Sequence, residues 1–290
     1  MAKTVEEGFR IFHSRLTPTG GESEAAKSHR ASIEACLKKK FEITRFFRTG
    51  SFGNGTSIQG YSDVDYFASI PTKNLKQNSD ATLRVVRDVL DARFPKTGVT
   101  VRMPAVLVPF GTDASESTEV VPADFITKDT NGYYIYKIAN GAGGWMKSSP
   151  DAHNAYVATV DDKLSNKVKP LVRFLKAWKY YRNVPISSFY LELRVATYAS
   201  GENSIVYSID VKNVLKMLWD NQLAAIQDPK GISGYIYPCS TDAKKSDALS
   251  KLETALVRAQ KARDAEKAEG ISDAFYWWNR VFAEKFPAYE

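Results

Sequence analysis

A chain of 290 residues with 43% hydrophobic and 25% charged content is built to fold around one large or two ordinary cores. It has no run near the roughly 20 apolar residues that cross a bilayer, no signal-peptide core at its amphipathic N-terminus, and only two cysteines (Cys36, Cys239) and three histidines, too few and too scattered for a disulfide framework or a zinc finger. The formal charge of +7 suits phosphate-bearing ligands without selecting among them, and the expected setting is a reducing cytoplasm, with no membrane and no zinc.

In chain order, residues 4–16 and 22–40 read as helices, the second with apolar Ala26, Ile33 and Leu37 at helical spacing and a basic end at Lys38, Lys39 and Lys40. "FEITRFF" (41–47) reads as a strand that runs into Gly50-Ser51, followed by a short helix over 52–59. "SDVDYFASI" reads as a second strand ended by Pro71, and a helix is expected over 78–93. "GVTVRM", "AVLVPF" and "TEVVPADFI" are three further strand-like runs. Beyond residue 155 the pattern turns helical: one strong helix over 161–183, then helices near 187–200, 209–225, 242–268 and 271–285.

The stretch "GSFGNGTSIQGYSDVDYF" (50–67) carries the chemistry. Residues two apart on a strand share a face, so Asp63 and Asp65 project together. Adjacent carboxylates repel unless a cation lies between them. Mg2+ takes oxygen ligands and typically binds one or two carboxylates plus substrate phosphates. Gly50 and Ser51 open a turn with exposed backbone N–H groups and a hydroxyl, a seat for a phosphate. A phosphate seat beside a metal seat is the arrangement for phosphoryl or nucleotidyl transfer.

The same residues resemble a known family. G-S-x3-G-T followed by S-D-x-D is similar to the signature of the nucleotidyltransferase superfamily. "EVVPADF" (119–125) resembles the third-carboxylate strand of oligoadenylate synthases and their bacterial relatives. "LVRFLKAWKYYRN" (171–183) with "SSFYLELRVATYA" (187–199) looks like that group's helical lobe, and "AFYWWNRVFAEKFP" (274–287) like the final helix of bacterial members. The chain is thereby identified as a bacterial cGAS/DncV-like nucleotidyltransferase (CD-NTase).

The resemblance implies an α+β, two-lobed fold: a catalytic lobe over 1–154, with N-terminal helices and a mixed sheet, and a helical lobe over 155–290. It implies condensation of NTPs, ATP among them, into a cyclic di- or trinucleotide signal in anti-phage defence, with Mg2+ or Mn2+ as cofactor and pyrophosphate as by-product. Regulatory protein partners stay open. Two distant cysteines cannot build the zinc insertion of the animal DNA sensor, so DNA activation of that kind is not expected. The alternatives are a linear polymerase, a transferase adenylylating RNA, protein or a small molecule, and an inactive nucleotide-binding scaffold.

Lys176 matches the family's triphosphate-binding lysine in an L-K-x-W context; without that match, Lys169, Arg173 and Lys176 form a basic stripe opposite Leu171, Leu175 and Trp178 that reads as a solvated face. Ser188 matches a donor-phosphate hydroxyl and reads equally as a helix N-cap. Tyr61 could stack on a base or simply pack. Trp145 and His153 read as structural. The third metal ligand is Glu119 or Asp124. Family members place Asp directly before the V-V-P-A-like run, where this chain has Glu119. Asp124 lies an odd number of residues on and beyond Pro122, so Glu119 is assigned.

Overall fold

The computed structural model describes residues 2–18, 24–61, 64–111 and 116–290. The chain opens with α1 (Val5–Leu16) and α2 (Glu24–Phe41) and enters a seven-stranded sheet through β1 (Arg45–Thr49). A one-turn helix, α3 (Gly50–Asn54), precedes β2 (Val64–Ser69). Next come α4 (Ser79–Arg93), β3 (Thr100–Arg102), β4 (Ala105–Phe110), β5 (Glu116–Lys128), β6 (Tyr134–Ala139) and β7 (Trp145–Ser148). The remainder is α5 (Pro150–Lys163), α6 (Val168–Tyr181), α7 (Ser188–Ser200), α8 (Tyr207–Asp220), a small hairpin of β8 (Ile226–Gln227) and β9 (Tyr235–Ile236), α9 (Asp242–Lys267) and α10 (Ile271–Val281). This is the α+β, two-lobed arrangement expected from the sequence. Among the described residues no helix is long and apolar enough to cross a membrane.

The sheet runs β1-β2-β5-β4-β3, with β6 and β7 extending from the far end of β5; β2 and β5 are parallel, and the other pairs are antiparallel. Strand alternation divides its two faces. Ala68 and Ile70 of the β2 segment, Val106 and Val108 of β4, and Val120 of β5 point to one side. There they form a core with Ile33 and Leu37 of α2 and Leu83, Val86 and Leu90 of α4. Residues of the other parity, Asp65 and Glu119 among them, must face away from those helices.

Four local expectations change. The short helix expected over 52–59 is one turn over Gly50–Asn54, ended by Gly55 in the left-handed region at φ 70°. Residues 41–47 do not form one strand: Phe41 completes an i, i+4, i+8 buried row with Ile33 and Leu37, so α2 keeps it, and β1 starts at Arg45. The single helix expected over 161–183 is two helices. Ser165 and Asn166 take positive φ (57° and 60°), and the Asp161 carboxylate accepts from the Val168 and Lys169 amides at 2.8 and 2.9 Å, which caps the new start. The continuous apolar period concealed this break. Finally, α1 packs away from the sheet. Phe9 meets Phe174, Trp278 and Phe286, each at 5.0 Å between ring centres, inside a second core built on α6, α8, α9 and α10. Within residues 1–154, α1 also meets Ile58 in this core, and the Leu16 carbonyl accepts from the Gln59 amide at 2.9 Å.

Candidate active site

The turn between β1 and α3 is built around Asp65. Thr49 of β1 and Glu119 of β5 are its Cα partners on either side. Gly50 has φ +59°, a conformation L side chains disfavour, and a Cβ built there would overlap Oδ2 of Asp65 and stand 2.6 Å from its Cγ. The backbone of the Gly50-Ser51 turn can lie on the Asp65 carboxylate only because residue 50 has no side chain. Ser51 closes the following turn, its carbonyl accepting from the Thr56 amide at 2.8 Å.

Asp63 lies outside the described residues. Asp65 and Glu119 stand in register on neighbouring parallel strands, on the sheet face that α2 and α4 leave uncovered. Asp124 is elsewhere. It lies five positions on, about 16 Å along the strand, where β5 has turned to pair with β6, and its Oδ1 accepts from the Thr72 hydroxyl at 2.7 Å. β5 passes through Pro122 without ending, with Ala68 as the proline's partner on β2. A surface groove of about 860 Å3 between α2 and α4 is on the opposite side of the sheet from these carboxylates.

The helical lobe meets this turn through the basic side of α6, and that side is not solvated. Lys176 is 1% exposed. Its ammonium donates to the Thr56 hydroxyl (3.0 Å) and carbonyl (3.3 Å) and pairs with Glu192 of α7 at 3.4 Å. Glu192, itself buried, also accepts from the Asn54 amide at 2.8 Å and from the Thr56 hydroxyl. Burial pushes the Lys176 pKa down, opposed by the Glu192 charge and, less, by that of Asp65. Arg173, one turn earlier, donates to the Ser57 carbonyl at 3.2 Å and to Nε2 of His13 at 2.9 Å. Lys169 pairs with Asp161 at 3.8 Å.

Lys179, which the sequence did not single out, lies three residues beyond Lys176 and donates to Ser188 Oγ at 2.5 Å. Burial, then the charges of Lys176 and Arg102, bring its pKa down to about 8. The cap of α7 is made by Ser187, whose hydroxyl accepts from the Tyr190 amide, so the Ser188 hydroxyl is turned to Lys179 and Tyr180 instead. Tyr61 stacks on Tyr180 with 5.4 Å between ring centres and remains half exposed. His153 is buried against Asp228 at 2.9 Å, and the Trp145 indole donates to the Gln77 carbonyl at 3.0 Å; both contacts hold loops in place.

Sequence reasoning therefore missed Lys179, Glu192 and Arg102. Lys179 was detectable as the second lysine on one face of α6. Arg102 gave no signal, because its contact with Glu119, Nη1 to Oε1 at 3.0 Å, reaches across an intervening strand of the sheet. Two carboxylates in register, with glycine backbone against one of them, form an all-oxygen set suited to a hard divalent cation. Among the described residues no group of three or more His, Cys, Asp or Glu that could hold a metal is present, and Asp63 is not one of those residues.

A mixed sheet carrying acids on its open face, a glycine turn laid on one of them, and a helical lobe presenting lysine and serine opposite define a nucleotidyltransferase. Residues 3–161 match the family of second messenger oligonucleotide or dinucleotide synthetase domains. The chain is 24% identical over 254 residues to a probable cyclic nucleotide synthase of Bacillus cereus (strain VD146), covering 82% of this chain and 75% of that protein. It is similar in fold to E. coli MS115-1 CdnC with ATP (TM-score 0.72, 17% identity, 98% and 99% of the two chains). Vibrio cholerae DncV, a cyclic AMP-GMP synthase solved with the linear intermediate 5′ pppA(3′,5′)pG, gives TM-score 0.76 at 15% identity over 99% and 98% of the chains. The chain belongs to the second messenger oligonucleotide or dinucleotide synthetase family, the bacterial cGAS/DncV-like nucleotidyltransferases, and is an enzyme that makes cyclic oligonucleotides.

Proposed function

We propose that this enzyme condenses NTPs, with ATP among them, into a cyclic di- or trinucleotide that serves as an anti-phage signal in the cytoplasm. The observation that carries the reading is the in-register pair Asp65 and Glu119 beneath the Gly50-Ser51 turn, with Lys179 and Ser188 presented by the helical lobe. Asp63, Asp65 and Glu119 would hold Mg2+ or Mn2+, with Glu119 in preference to Asp124, which is committed to Thr72. When bound, the metal supplies Lewis-acid stabilisation of charge on the transferring phosphate.

The chain's own residues bind and orient. Gly50 and Ser51 offer backbone N–H groups and a hydroxyl to the donor phosphates. Lys179 and Ser188 are placed for the same phosphates, and Lys176 shapes the turn by gripping Thr56. In the reaction a ribose hydroxyl of one nucleotide attacks the α-phosphorus of another. The bond to the β-bridging oxygen breaks, pyrophosphate leaves with that electron pair, and the hydroxyl proton passes to solvent. One further attack of the same kind closes the ring of a dinucleotide, and two further attacks close that of a trinucleotide, each releasing one pyrophosphate.

Incubation with four labelled NTPs and Mg2+ or Mn2+, followed by phosphatase and mass spectrometry, tests this. A phosphatase-resistant cyclic product is expected. Ladders of linear product, or transfer to a non-nucleotide acceptor, would overturn it.

A further inference from the structure

We propose that Arg102 is a two-position residue of the active site, held by Glu119 before metal arrives and transferred to a phosphate oxygen of the nucleoside triphosphate once metal takes that carboxylate. The inference rests on the reading of Glu119 as a metal ligand.

Thr100 of β3 and Glu119 of β5 are both Cα partners of Leu107 on β4, so all three side chains share a level and a face. Arg102, two residues beyond Thr100, is on that same face. From this edge strand its guanidinium reaches over β4 to Glu119. Arg102 is also close enough to Lys179 for its charge to depress the lysine's pKa, so Glu119 on one side and the Lys179–Ser188 pair on the other lie within its field.

A carboxylate oxygen in an ion pair with guanidinium must give up that contact to become a ligand of a divalent cation. The Arg102 side chain is 60% exposed and that of Glu119 19%, so the pair is of the weak, solvent-screened kind. Such a contact slows no chemistry; it lowers apparent metal affinity by the factor its own stability represents, about two- to fivefold. The released guanidinium is a planar fork that matches a phosphate, and a metal-bound triphosphate lying between Glu119 and Lys179 would put oxygens within its reach. Removing Arg102 should therefore move two affinities in opposite directions, which neither a merely structural residue nor a simple phosphate anchor would do.

The experiment uses the full chain without turnover. Mn2+ binding is measured by the electron paramagnetic resonance of free manganese, for wild type, Arg102→Ala, Glu119→Gln and the double variant. Binding of a non-hydrolysable NTP analogue at saturating Mg2+ is measured by calorimetry for wild type and Arg102→Ala. Arg102→Ala is expected to tighten Mn2+ about two- to fivefold and to weaken the analogue about tenfold, the order of one hydrogen bond to a charged group. In the Glu119→Gln background the same substitution should leave Mn2+ binding unchanged. Mn2+ affinity that is equal or weaker in Arg102→Ala, while Glu119→Gln loses Mn2+, overturns the two-position proposal alone. An analogue affinity unchanged by Arg102→Ala overturns its second position. Mn2+ binding indifferent to Glu119→Gln overturns the underlying ligand assignment.

Discussion

Replacing Lys176 by alanine would leave the Glu192 carboxylate 6% exposed and without its counter-charge. Removing one partner of a buried ion pair costs about 3–5 kcal/mol. Glu192 keeps two neutral donors, Asn54 and Thr56, which places the loss near the lower end, about 3 kcal/mol. At the roughly 2 °C per kcal/mol of a large domain, melting should fall by about 6 °C. The Lys176→Met, Glu192→Gln double variant removes both charges while leaving an acceptor for Asn54 and Thr56, and should recover most of that loss, because paired buried charges are often replaceable at little net cost. Lys179→Ala should behave in the opposite way. Burial disfavours its charge, so melting should hold or rise while the KM for NTP rises about tenfold or more, as for loss of a hydrogen bond to a charged group. Differential scanning fluorimetry with initial-rate kinetics separates the two. If Lys176→Ala melts within about 1 °C of wild type and only its KM rises, the assignment of Lys176 to loop support is refuted and the residue returns to the phosphate.

Other expectations follow from the same geometry. Gly50→Ala adds a Cβ where Asp65 stands and strains a left-handed residue by about 1–2 kcal/mol; kcat/KM should drop about a hundredfold, as for a misplacement near 1 Å, and normal turnover in this variant would refute the described turn. Glu119→Gln should abolish turnover across an Mg2+ titration, whereas Asp124→Asn, able to keep its Thr72 contact, should stay near wild type; the reverse pattern would reassign the third ligand. The lowered Lys179 pKa, about 8, means the ammonium is lost as pH rises through that value, so kcat/KM should decline above about pH 8 and Lys179→Arg should carry the plateau higher. Stability takes the opposite sign: the fold disfavours this charge, so the Lys179 contribution improves as pH rises from about 8 towards the unfolded value of about 10.4, visible as a melting difference against Lys179→Met.

Much of the fold was legible because it is written in local periods. Alternation was visible along β2, and strand parity, together with Pro122 and the family position before V-V-P-A, favoured Glu119 over Asp124, although β5 runs on through Pro122. The spacing of Gly50, Ser51, Asp63 and Asp65 announces a turn and carboxylates from the sequence itself. What periods cannot carry is which elements meet. Residues 161–183 keep one apolar rhythm across a real break, since the break depends on a side chain, Asp161, capping the next helix. The destination of α1 was settled by Phe9 finding Phe174, Trp278 and Phe286, residues that exist as a pocket only after the C-terminal helices pack. Apart from the family match that assigned Lys176 to a triphosphate, the basic stripe of α6 looked solvated because lysine usually is; the approach of Thr56 and Glu192 from two other elements makes burial of Lys176 tolerable, and Lys179 is the lysine that meets Ser188. Arg102 and Glu119 meet across an intervening strand, and a pairing of that kind is decided by sheet order, which no single segment encodes.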